Sequence, residues 1–173
     1  MRVLGLDPGL ATTGWGMVEE VSGELTLVDF GVITTDPSEP LVKRLRALYQ
    51  ELKALLALQQ PDEAAVEELF FCRNVRTALL VGQARGVALL ALADEGLEVH
   101  EYTPLQVKQA VVGYGQATKH QVQQMTQMLL GLSESPQPDD AADAVAVAIC
   151  YLHSARFQEL IARLPAQAGE GER

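Results

Sequence analysis

Three β-rich segments fill the first 34 residues, and helical and strand-like segments then alternate to the end of the chain. Residues 3–7 form a short apolar run stopped by Pro8-Gly9, a turn-forming pair that ends a buried strand. Residues 13–20 and 25–34 are rich in β-branched and aromatic side chains and are separated by Ser22-Gly23, which predicts an antiparallel meander. After Asp36-Pro37-Ser38, Leu41, Leu45, Leu48, Leu52, Leu55 and Leu56 recur on one helical face, and Pro61 closes that helix. A short strand is expected at 63–69, a helix at 75–94 closed near Gly96, and a fifth strand at 97–102. Helices follow at 104–111, at 118–130 and from 141 to 160, the last entered through Pro136-Gln137-Pro138. Such an order predicts an α/β fold, a five-stranded mixed sheet with helices on both faces.

A chain of 173 residues fits one domain, expected over 1–164, followed by a polar tail at 165–173. At that size roughly 70% of the unfolded surface can be buried without disulfides. Cys72 and Cys150 make no disulfide framework and no Cys-x-x-Cys pair, which fits a reducing compartment. The apolar N-terminal run is broken by Asp7 and Pro8 and does not read as a signal peptide. No apolar stretch is expected to reach the ~20 residues that span a bilayer, so the expected setting is the cytoplasm, with no membrane partner.

The net charge of −10 hides an uneven distribution. Residues 69–93 carry Arg73, Arg76 and Arg85 and no acid, and residues 102–133 carry Lys108, Lys119 and His120, again with no acid. Screening over about 8 Å means that a partner meets such local patches rather than the net charge. The two segments are therefore candidates for a face that binds a polyanion; basic residues scattered over solvated helices are the alternative.

Four features carry chemistry. Asp7 ends the first strand, where ligand sites of α/β sheets form, although Asp-Pro-Gly is also plain turn chemistry. Glu67 falls near the end of the fourth strand, and alternation sends Glu67 and Glu68 to opposite faces. Asp140 and Asp143 lie i, i+3 on one helical face; Asp139 with Asp143, at i, i+4, is the other pairing, and Asp139 after Pro138 is a candidate N-cap. Phe70 and Phe71 are adjacent, so one can fill the core while the other stacks on a base. Four carboxylates over one sheet edge repel unless cations intervene. Oxygen-only ligands suit Mg²⁺ or Mn²⁺, and two ions ~3.5–4 Å apart suit in-line attack on a phosphodiester.

The segments GLDPG (5–9), AVEELFF (65–71), GQARG (82–86), QVKQAVVG (106–113) and DAADA (140–144) together resemble the RuvC family of Holliday-junction resolvases over about residues 3–152. The resemblance implies a ribonuclease-H-like fold and a metal-dependent endonuclease that cuts four-way DNA junctions with paired nicks, leaving 5′-phosphate and 3′-hydroxyl ends. It implies that Asp7, Glu67, Asp140 and Asp143 are catalytic and hold two divalent cations per subunit, Mg²⁺ or Mn²⁺. It further implies that Phe70 inserts at the junction centre and that Lys108 and Lys119 meet backbone phosphates. Arg73 stands where the family usually has a basic residue, and Arg76 follows on the same basic segment. A homodimer and cooperation with the RuvA and RuvB branch-migration proteins are also implied. Three other readings compete. Asp7-Pro8-Gly9 with Thr12, Thr13 and Gly14 resembles the first phosphate loop of actin-like and sugar-kinase proteins, but 173 residues leave no room for the second domain those need. The other two are a ribonuclease-H-like nuclease acting on RNA and a non-catalytic junction-binding protein.

Overall fold

The computed structural model describes residues 1–68 and 75–162. The meander forms as expected: β1 (Arg2–Asp7), β2 (Thr12–Val21) and β3 (Glu24–Thr34) pair antiparallel in sequence, with a register shift between Met17 and Val18. β4 (Glu63–Glu67) then adds parallel to the other side of β1, and β5 (Val99–Tyr102) parallel to β4, giving the order β3-β2-β1-β4-β5. The helices between and after these strands are α1 (Leu41–Gln59), α2 (Val75–Asp94), α3 (Pro104–Val112), α4 (Lys119–Leu129) and α5 (Asp139–Ala162).

Strand alternation divides the core in two. Leu4 and Leu6 of β1, with Ala64 and Val66 of β4, pack against Leu48, Leu52, Leu55 and Leu56 of α1 and Ala84, Ala88 and Leu92 of α2. Val3, Val18 and Ala65 face the opposite way, into a cluster with Val145–Leu152 of α5 and with Val107 and Val122 of α3 and α4. All six leucines of the predicted α1 stripe lie on its sheet side, four buried and Leu41 and Leu45 at the rim. Threonine caps set the starts of α3 and α4: Thr103 and Thr118 accept from the backbones of Gln106 and Gln121, whose side chains reach back to complete two capping boxes.

One expectation is corrected by α2. Its 20 residues are long and apolar enough, by length and composition, to cross a membrane. Here it packs against α1 and carries Arg85 as an ion pair with Glu101, so it is a helix of the domain. The fourth strand also stops two residues earlier than expected, at Glu67. Phe70, Phe71, Cys72 and Arg73, and the tail expected at 165–173, lie outside the described residues.

Candidate active site

Asp7 shares the parity of Val3 and Gly5 and therefore faces α5, while Leu4 and Leu6 face α1 and α2. In β4 the same parity runs Ala65, Glu67. Because β1 and β4 are parallel with Leu6 opposite Val66, the next step in register sets Asp7 beside Glu67, both under the first turns of α5. Their carboxyls share a hydrogen bond.

Three glycines let α5 come down onto that edge. A Cβ on Gly5 would stand 2.0 Å from the Ala144 carbonyl oxygen, one on Gly14 1.9 Å from that of Asp140, and one on Gly16 2.3 Å from a Val145 methyl. Only hydrogen fits at these positions, so β1 and β2 form a trench in which the helix backbone lies directly on the sheet. The approach brings Asp143 and Asp140 into the electrostatic field of Asp7, and Asp143 into that of Glu67.

Asp139 is not the N-cap that the sequence implied. It is the first helical residue, because the Pro138 carbonyl already accepts from the backbones of Ala141 and Ala142. Its carboxylate instead accepts from the Gln123 amide at 3.0 Å and faces Lys119 at 3.3 Å. Lys119, at the start of α4, also donates to Asp143 at 2.8 Å. The lysine assigned to phosphate contact thus sits inside the acidic centre, bridging Asp139 and Asp143. Lys108, half-buried on α3, lines the same cavity of about 240 Å³ as Glu67, Lys119 and Asp143. Arg76 is exposed in the first turn of α2. Sequence reasoning left Arg85 of the GQARG segment without a role; its Nε donates to the Glu67 carbonyl at 3.4 Å and ties α2 to the end of β4.

Burial pushes the Asp7 carboxyl up to about 6, with Asp143 and Asp140 adding to the rise. Burial and the adjacent Asp7 push Glu67 up to about 8. Asp143 is also raised by burial, against the pull of Lys119. Three hard oxygen donors, Asp7, Glu67 and Asp143, that resist carrying their charges alone suit a divalent cation. Among the described residues no three of these side chains already enclose a common point, and Lys119 occupies part of the space between them.

The pH dependence follows. Unfolded, Asp7 and Glu67 titrate near 3.8 and 4.5; folded and metal-free they keep their protons to about 6 and 8. The folded chain then binds more protons than the unfolded chain across that interval, so stability falls as pH rises through it. Melting temperature in chelator should decline between pH 5 and pH 8, and Glu67→Gln should flatten the decline. A melting temperature that rises over this range would contradict the assignment.

Comparison with known proteins identifies the family. The model of the family "Crossover junction endodeoxyribonuclease RuvC" matches residues 3–151. A protein of that name from Chloroflexus aurantiacus is 59% identical over 155 residues, covering 90% of this chain and 94% of its own. One from Syntrophomonas wolfei is 52% identical over 170 residues, covering 98% and 99%. Among solved structures, Thermus thermophilus RuvC in complex with a Holliday junction substrate superposes with a TM-score of 0.86 at 38% identity, covering 91% of this chain and 96% of that one. A yeast mitochondrial Holliday junction resolvase, 13% identical with a TM-score of 0.64, shares the fold. With its five-stranded mixed sheet, its carboxylates at one edge and a family match over nearly its whole length, the chain belongs to the RuvC family of crossover junction endodeoxyribonucleases.

Proposed function

We propose that the protein resolves four-way DNA junctions by paired phosphodiester hydrolysis, with Asp7, Glu67, Asp140 and Asp143 as its catalytic carboxylates. The observation that carries this reading is the meeting of Asp7, Glu67 and Asp143 with Lys119 at one end of the sheet. The junction-bound relative supports DNA as the substrate. The carboxylates would hold two divalent cations, Mg²⁺ or Mn²⁺. Such ions, when bound, lower the pKa of attacking water and stabilise the departing 3′ oxygen. Asp7 and Glu67, on adjacent strands, provide fixed oxygen donors; Asp140 and Asp143 supply the charge from the helix side. Lys108 and Lys119 hold phosphates that the acidic centre would otherwise repel, and Phe70 and Arg73, with Arg76, belong to the junction-facing segment. Cleavage of a mobile four-way junction against a linear duplex, in Mg²⁺, Mn²⁺ and chelator, tests the reading. Metal-independent cutting, or equal cutting of both substrates, would overturn it.

Lys108→Ala should weaken junction binding uniformly across sequences and flatten the log–log salt dependence by about one unit. Titrations from 50 to 200 mM salt check this, and an unchanged slope would return Lys108 to the solvated surface.

Paired nicks call for two sites related by a two-fold axis. We assign the dimer seam to α2, where Val75, Leu79 and Leu90 are 72%, 63% and 55% exposed and recur with Gln83 and Gly86 along one stripe. A Cβ on Gly86 would meet nothing within 4 Å, leaving room for a partner helix. Leu90→Glu should convert the dimer to monomer in light scattering and abolish paired nicking, leaving the monomer folded. A dimer that persists would place the seam elsewhere. Cooperation with the RuvA and RuvB branch-migration proteins is proposed from family membership alone.

A further inference from the structure

A second cavity lies on the other side of the acidic centre from Lys108. It has a volume of about 440 Å³ and sits between the β1–β2 turn and the N-terminal ends of α1 and α2, with Ala11, Pro37, Leu80, Arg44 and Asp140 in its walls. Arg44 is half-buried there. Its Nε donates to the Thr35 hydroxyl at 2.9 Å and its Nη2 to the Leu10 carbonyl at 3.3 Å, while the Thr35 hydroxyl donates to the same carbonyl at 2.5 Å. These bonds clamp the turn that follows Asp7. They use two of the five N–H donors of a guanidinium. The neighbouring acid, Asp36, is turned to Ser38, whose backbone N–H and hydroxyl donate to it at 2.8 and 2.7 Å. Arg44 lies within the electrostatic reach of Asp36, helping to lower it, but makes no ion pair among the described residues, so a fixed cation faces a groove that opens beside Asp140.

A strand whose scissile phosphate sits at the acidic centre must continue on both sides of it, carrying one negative charge per nucleotide past several carboxylates. On the α3–α4 side Lys108 and Lys119 line the way. On the α1–α2 side the cation in the wall is Arg44. We propose that this groove is a second phosphate subsite, which receives the backbone of the cleaved strand next to the scissile phosphate, with Arg44 as its anion contact and the apolar wall against the sugar. The inference rests on the reading of the acidic centre as a DNA-cleaving site.

Junction binding in chelator over a salt series tests it with wild type, Arg44→Met, Arg44→Lys and Thr35→Ala. Arg44→Met should bind several-fold more weakly and lose about 0.9 from the log–log salt slope, the loss expected for one phosphate. Arg44→Lys should keep the slope, and Thr35→Ala, which loosens the clamp but retains the cation, should keep it too. An Arg44→Met slope equal to wild type, or a full loss reproduced by Thr35→Ala, would reduce Arg44 to a clamp and overturn the subsite. Phosphate-ethylation interference on the wild-type complex decides the matter even if Arg44→Met fails to fold. Ethylation of a phosphate flanking the cut on that side should block binding, and its absence there overturns the proposal. If wild type neither binds nor cuts four-way DNA, it is the reading of the acidic centre that fails instead.

Discussion

Asp7→Asn should lose cleavage by about 10³-fold or more while still binding four-way DNA in chelator. Asparagine keeps the shape and one carbonyl oxygen but removes a charge that a divalent cation needs, and several kcal/mol of transition-state stabilisation correspond to three or more decades in rate. Binding should survive where Asp7 is protonated, since burial already disfavours its ionised form, and tighten where it is ionised, since one negative charge near the phosphates has gone. Glu67→Gln, Asp140→Asn and Asp143→Asn should show the same split. Asp139→Asn should cut at close to the wild-type rate, since its carboxylate is engaged with Gln123 and Lys119 at the outer edge of the centre. A gel shift beside a cleavage assay separates these outcomes. An active Asp7→Asn, or a dead Asp139→Asn, would displace the site.

Among the glycines with described surroundings, Gly14→Ala should be the most damaging substitution. Its Cβ would meet the carbonyl oxygen of Asp140 at 1.9 Å and the carbonyl carbon at 2.4 Å, and both are backbone atoms that no rotamer change can move. Overpacking of a well-packed interior costs typically ~1–3 kcal/mol, and relief here requires lifting the first turn of α5 off β2. That displacement carries Asp140 and Asp143 away from Asp7, so cleavage should fall even where the variant remains folded at low temperature. Thermal melts paired with single-turnover cutting at 20 °C check it. Wild-type rates in a destabilised variant would show that the helix can ride up without disturbing the centre.

Much of this architecture was legible in local sequence because local rules decide it. The turn at Pro8-Gly9, the leucine stripe of α1 and the Thr-x-x-Gln starts of α3 and α4 each specify an element without reference to the rest of the chain. The carboxylates could be listed for the same reason, as strand-end and first-turn acids. What joins residues far apart in sequence could not be read. Lys119 meets Asp143 only once α4 is packed on α5, 24 residues on, and nothing around Lys119 distinguishes it from a solvated lysine. Arg44 reaches Leu10 across 34 residues, and a helical pattern scored for its leucines passes over it. Asp139 looked like a cap because Asp is a favoured N-cap, but the Pro138 carbonyl had already opened the helix. Glycine within a strand is by itself a weak position; the purpose of those in β1 and β2 emerges only when a helix backbone occupies the space that side chains would have filled.

The placement of Asp7 and Glu67 on neighbouring parallel strands gives this edge the property of a reading frame. One residue inserted into or deleted from β1 ahead of Asp7 would turn that carboxylate toward the leucines under α1 and α2, and would bring Leu6 or Pro8 to the catalytic face. A change of two residues would restore the face but slide the acid by about 6.6 Å along the strand, past its partner. A change of length that leaves the centre intact is therefore expected only in the loops beyond the strands, where the count of residues can change without changing which of them look inward.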